Sequence, residues 1–174
     1  THSALAKAGR IPDPYAGTNE LDMQWVGRED WLYERAFDVD AAFLEGEMLY
    51  LNCDVLDTVA EITINGKPAG VSENMFAGQR FDVRRLLKKG KNTIRVMLRS
   101  AEKAAVEAAK ALPYEVPHSV NPVQSPHRNL LRKVQCHSGW DWGPCLMVSG
   151  INGGIYLGAT SLGRIEYVAT TQQH

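Results

Sequence analysis

The 174-residue sequence contains no CxxC or HxxxH pair, no glycine-rich phosphate loop, no GxSxG elbow and no long apolar run. Each absence removes a class of chemistry. The scattered histidines offer no zinc-ligand spacing. "GKNT", the nearest approach to a nucleotide loop, lacks the strand–loop–helix setting of a P-loop. Without GxSxG a serine nucleophile has no support, and no segment approaches the ~20 apolar residues that span a bilayer. An excess of one charge is also missing. Nineteen Lys and Arg stand against 20 Asp and Glu, a net charge of −1, which leaves no basic footprint for nucleic acid. No cofactor, no metal, no membrane and no nucleic acid are therefore expected. Cysteine is scarce, and the odd three (Cys53, Cys136, Cys145) are expected as buried free thiols rather than as a disulfide framework. No signal peptide is recognisable and position 1 is Thr rather than Met, which fits a processed chain or a piece of a longer one and leaves the compartment open.

What is present is mainly β grammar. "WLYERAFDV" from Trp31 sets Trp31, Tyr33, Arg35, Phe37 and Val39 on one face. "EMLYLNCDV" is apolar on both faces, as a central strand is. "AEITINGKPAGV" holds Asn65-Gly66, the dipeptide of a type I′ hairpin, since both turn positions need φ > 0. After a helical turn at 84–89, Ile94, Val96 and Leu98 share a face. "SAEKAAVEAAKAL" is the one strong helix, with Ser100 as N-cap and Glu102 near the positive end of the macrodipole. "THSALAKAGR" predicts a second, short helix. "NLLRKVQCH", "INGGIYLGAT" and "GRIEYVATTQQH" are expected as further strands. Residues 11–31 are expected to run extended over a surface, anchored by Tyr15, Leu21, Met23 and Trp25. The four prolines of "PYEVPHSVNPVQSPHR" exclude a central strand and predict a mobile loop over 113–128. About eight short strands and one or two short helices make an all-β sandwich.

One short stretch invites a chemical reading: "HSGWDWGP", residues 137–144. Gly139 and Gly143 free the backbone on both sides, and Pro144 then fixes φ. If extended, the segment puts Trp140 and Trp142 on one side and Asp141 on the other. In a tight loop the two rings flank the carboxylate. An ionised carboxylate accepts hydrogen bonds from neighbouring sugar hydroxyls, and an indole packs on the C–H face of a pyranose. The ordinary roles compete with this: Trp packs cores, and Asp beside Gly forms turns. No two carboxylates are paired by spacing as a glycosidase needs, so catalytic residues are not expected in this chain.

"RKVQCHSGWDWGP" closely resembles a stretch of the exo-acting β-mannosidases of glycoside hydrolase family 2. "GRIPDPYAGTNELDMQWVGREDWLYERAFDV" is similar to that family's N-terminal lead-in, and "LDTVAEITINGKPAG" to its hairpin. The matches cover roughly residues 5 to 168, in the family's order.

The resemblance implies a jelly-roll-like, galactose-binding-domain-like sandwich at the N-terminus of a multi-domain retaining glycosidase. Its divisions would be a lead-in segment over 1–30 packed on the sandwich, a sugar-binding domain over 31–165, and over 166–174 the start of a linker to an immunoglobulin-like domain. The catalytic glutamates would lie on a (β/α)8 barrel beyond residue 174. Asp141 would help hold the terminal β-linked mannose, with Trp140 and Trp142 shaping the loop. The implied partners are therefore carbohydrate and, within the same protein, the barrel and the immunoglobulin-like domain. Two places depart from the pattern: Asn152 and Gly153 replace a Trp and a basic residue, and Cys145 replaces a polar one. An autonomous carbohydrate-binding module and a purely structural docking domain of another family 2 glycosidase are the alternative readings.

Overall fold

In a computed structural model, residues 1–118, 125–140 and 143–173 are described. Among them are seven strands: β1 (Trp31–Val39), β2 (Met48–Asp57), β3 (Ala60–Ile64), β4 (Lys67–Ser72), β5 (Gln79–Asp82), β6 (Gly90–Leu98) and β7 (Gly150–Thr160). They form two antiparallel sheets, ordered β1-β6-β3-β4 and β5-β2-β7. The expected all-β sandwich is therefore present, with β2 central in its sheet.

The sheets face each other through the alternation the sequence carries. Leu51 and Cys53 of β2, Ile62 and Ile64 of β3, and Ile94, Val96 and Leu98 of β6 meet in one buried cluster with Leu56 and Val83. Each fully buried Leu or Ile is worth about 1.5–3 kcal/mol against exposure. The β3–β4 hairpin turns on Asn65 (φ 52°) and Gly66 (φ 78°), as the dipeptide requires. Asn65 does more than turn: its amide donates to the Leu86 carbonyl (2.9 Å) and to Asn92 Oδ1 (2.7 Å), and its Oδ1 accepts from the Thr93 N–H (3.0 Å). The tip is thereby tied to β6 at one end of the sandwich.

The opposite end gathers the start of β1, the end of β6 and the crossing from β2 to β3. Trp31 pairs with Leu98, Leu98 with Ala60, and Asp57 with Gly150. Helices collect here: α1 (His2–Lys7), α2 (Asn19–Asp22), α3 (Trp25–Arg28) and α4 (Ala101–Ala111). Ser100 caps α4 as expected, accepting from the Lys103 N–H (3.2 Å). Its hydroxyl also donates to the Gly27 carbonyl (2.8 Å), which fastens α4 to α3.

Several expectations are corrected. The lead-in is not extended but makes two helical turns, α2 and α3; Met23 and Val26 are its buried anchors, whereas Tyr15, Leu21 and Trp25 stay exposed. Trp25 instead lies against Trp31, ring centroids 6.0 Å apart. "NLLRKVQCH" is not a strand: it makes two 3₁₀ turns, Arg128–Leu130 and Gln135–Ser138, and among the described residues meets a neighbouring backbone only at the isolated Asn74–Arg132 bridge and the Val148 N–H to His137 carbonyl bond. Gln135 donates there to the carbonyls of Arg128 and Lys133, 3.1 Å each. "GRIEYVATTQQH" forms no strand over 163–173: Glu166 meets Arg80 of β5 through an ion pair (2.5 Å) and not through a backbone ladder, and Ile165, Tyr167 and Val168 are exposed. Cys53 and Cys145 are buried but Cys136 is exposed, and none forms a disulfide. Residues 119–124 of the proline-rich stretch lie outside the described residues. Its described flanks are tied down: Ser125 donates to Glu102 (2.8 Å), and Asn129 to the Pro117 carbonyl (3.0 Å).

Candidate functional site

Asp141 and Trp142 lie outside the described residues; Trp140 is half-exposed at the edge of the same stretch. What the structure gives in full is the base on which this stretch stands. Its outbound limb runs through Lys133, His137 and Gly139, and its return limb through Cys145 and Val148.

The base begins with Asp57, the last residue of β2. Asp57 Oδ1 accepts from Lys133 Nζ at 2.5 Å, with both side chains only 2 % exposed. Thr58 Oγ1 donates to the same oxygen. His137 Nδ1 lies 3.3 Å from the other, Oδ2. Lys133 Nζ donates in addition to the Val148 carbonyl (2.7 Å), and the Val148 N–H donates to the His137 carbonyl (3.2 Å). One ammonium thus touches the sheet end and both limbs. Burial pushes the Lys133 ammonium below the ordinary lysine value, with the Asp57 carboxylate opposing it. A buried charge of this kind is tolerable only when paired and hydrogen-bonded.

Higher up, the limbs touch directly. Gly139 takes φ +103°, and a Cβ there would stand 2.6 Å from Cys145 Cα. No L side chain fits that conformation or that space. Arg128 donates to Ser138 Oγ (3.0 Å) and to the Gly139 carbonyl (3.3 Å). Trp140 and Gly143 then pair as an isolated antiparallel bridge. The return limb is held from outside as well. Gln24 donates to the Cys145 carbonyl (2.6 Å), and Leu146 packs with Ile11 and Met23. The lead-in and the loop stretch, distant in sequence, are packed together.

Asp57 and Lys133 both sit inside stretches that carry the family resemblance, "LDTVAEITINGKPAG" and "RKVQCHSGWDWGP". A lysine six residues before Gly139 is the signal the sequence offers. Its partner 76 residues upstream was not readable. Among the described residues no group of three or more His, Cys, Asp or Glu could hold a metal ion, and no helix is long and apolar enough to cross a membrane.

The family model for the glycosyl hydrolase 2 galactose-binding domain-like fold matches residues 1–153. The chain belongs to this family. Among the family's relatives, the β-mannosidase of Mus musculus is 35% identical over 171 residues, 96% of this chain and 19% of that protein. The β-mannosidase B of Neosartorya fischeri is 36% identical over 151 residues, 86% of this chain and 18% of that protein. The crystal structure of the β-D-mannosidase from Dictyoglomus thermophilum superposes with a TM-score of 0.83 at 40% identity, covering 90% of this chain and 19% of that one. The chain thus spans about a fifth of the length of the β-mannosidases it matches.

Proposed function

We propose that this galactose-binding-like domain is the N-terminal, non-catalytic part of a retaining exo-β-mannosidase, and that its Trp140-Asp141-Trp142 loop completes the terminal mannose site of that enzyme. Residues 1–30 and 31–165 serve as lead-in and sugar-binding domain, and 166–174 lead towards an immunoglobulin-like domain. The catalytic glutamates belong to a barrel outside this chain. Asp141 accepts hydrogen bonds from sugar hydroxyls, and the two indoles hold the loop in shape.

The observation that carries the reading is the likeness to β-mannosidases over 86–96% of the chain, at 35–36% identity, with the Trp-Asp-Trp motif inside the matched length. The base described above supports it: three polar side chains and a buried cation fix both limbs of the loop, and Leu146 packs the return limb against the lead-in. A loop so anchored suits presentation of a side chain to a neighbouring domain.

The test is Asp141→Ala and Asp141→Asn in the parent enzyme, assayed on an aryl β-mannoside. Hydrogen bonds to a charged acceptor are worth about 1.5–3 kcal/mol each, so loss of two lowers kcat/KM by about 10²–10⁴-fold, and Asn restores part of it. Activity equal to wild type in the Ala variant overturns the role. An intact fold with unchanged kcat/KM and a lower Tm would favour the structural docking role instead.

A further inference from the structure

We propose that Asp57 and Lys133 are positioning residues. Their buried ion pair pins both limbs of the loop to the end of β2, and so sets where Asp141 stands. The proposal rests on the reading of Asp141 given above.

Three observations carry it. First, Asp57 is a fixed point. It ends the central strand of its sheet, pairs in register with Gly150, and follows Leu56, which has no exposed surface. Second, Lys133 bridges three separate pieces of chain. Its Nζ reaches the sheet end through Asp57 and the return limb through the Val148 carbonyl, while its own backbone belongs to the outbound limb. His137, four residues further along that limb, approaches the second oxygen of the same carboxylate. Both Asp57 oxygens are thus committed to the limbs or to Thr58. Third, the fold does not need this pair for its core. The apolar cluster from Leu51 to Leu98 closes around Leu56 and Val83 without it. Replacing a buried ion pair by apolar residues of similar size is often neutral or stabilising, because desolvation offsets the attraction. An apolar pair lacks direction, however. A carboxylate with three committed partners fixes angles as well as distance, which is what a loop serving a second domain requires.

The decisive variant is the paired replacement Asp57→Leu with Lys133→Met, made in the parent enzyme. It leaves no unpaired charge. Two readouts are needed: amide hydrogen exchange across residues 134–149 against β2 and β6, and kcat and KM on an aryl β-mannoside. The expected result is a folded protein whose exchange over 134–149 rises at least tenfold while β2 and β6 are unchanged, and whose kcat/KM falls at least tenfold. In an Asp141→Ala background the same pair of changes lowers kcat/KM no further, since both act through one residue.

Unchanged exchange over 134–149 in the folded variant overturns the proposal, whatever Asp141→Ala does. Raised exchange with unaltered kcat/KM, or a full additive loss on top of Asp141→Ala, reduces the pair to a structural tie and also overturns it. If Asp141→Ala alone is silent, the functional reading fails, and the exchange measurement still decides whether the pair holds the limbs. Should the paired variant not fold, His137→Gln serves in its place. His137 is only partly buried, and the expected loss in kcat/KM is two- to fivefold, again absent in the Asp141→Ala background; an additive loss counts against the proposal.

Discussion

The strand region over 31–98 and the loop stretch over 128–148 are built by opposite means. The first is held by ladders of backbone hydrogen bonds over a continuous apolar cluster. The second has no strand among its described residues, only two 3₁₀ turns and isolated bridges; Lys133, Gln135, Arg128 and Asn129 side chains tie its outbound limb, and a small separate apolar cluster around Leu146 seats its return limb. A sheet tolerates loss of any one ladder bond because its neighbours keep the register. An outbound limb hung on a few polar groups depends on each of them, and in return its geometry is specified more sharply.

Three experiments press on this contrast. The largest effect is expected from Leu98→Ala in the strand region. Leu98 is fully buried and pairs at both sides of β6, so the change costs about 2–5 kcal/mol. Denaturant unfolding reads it as a lower midpoint for the whole domain, with no selective loosening of 134–149. A smaller loss specific to the loop stretch would contradict the division.

Next comes pH. Burial pushes the Cys53 thiol up to about 11 from its ordinary 9.0. The folded form keeps its proton where the unfolded chain has lost it. The contribution is therefore complete below pH 9 and is lost as pH rises towards 11, by about 3 kcal/mol at most. The Lys133 ammonium, shifted down, acts with the opposite sign at alkaline pH. Comparing Cys53→Val with wild type isolates the thiol: stability of the variant relative to wild type should improve between pH 9 and 11. Parallel pH curves would refute the assignment.

The most local effect belongs to Gly139→Ala. The left-handed backbone conformation alone costs about 1–3 kcal/mol, and the added Cβ also meets the Cys145 backbone, which must shift. It should appear as faster exchange over 134–149, with the strand region unaltered. Uniform loosening of both regions would erase the distinction between them.

The same contrast explains what could be read from the sequence. The strands, the Asn65-Gly66 hairpin and the Ser100 cap follow from local rules, namely alternation, φ > 0 chemistry and capping, and all are observed. Residues 129–137 look like a strand by composition, yet Lys133 finds its partner 76 residues away, and no local rule carries that information. The lead-in misleads for a related reason. Its prolines and glycines suggest an extended path, but Met23 gains burial against Leu146 of the return limb, and Val26 is buried, when the chain coils. As for the candidate site, Trp140-Asp141-Trp142 was legible as a motif, whereas the base beneath it was not.

The pairing of β2 with β7 joins Met48 to Thr160 and Asp57 to Gly150. On a ribosome adding about 5–20 residues per second, the central strand waits roughly 5–20 seconds for its second neighbour. Until then one long side of Met48–Asp57 is bare, and for the first 76 residues of that wait the Asp57 carboxylate lacks Lys133 as well. Attachment of the loop to its base follows the synthesis of Val148, and sheet closure is completed only after residue 160 has left the exit tunnel. A nascent chain stalled before that point exposes an unpaired strand edge, the kind of surface that chaperones recognise and that associates with other chains.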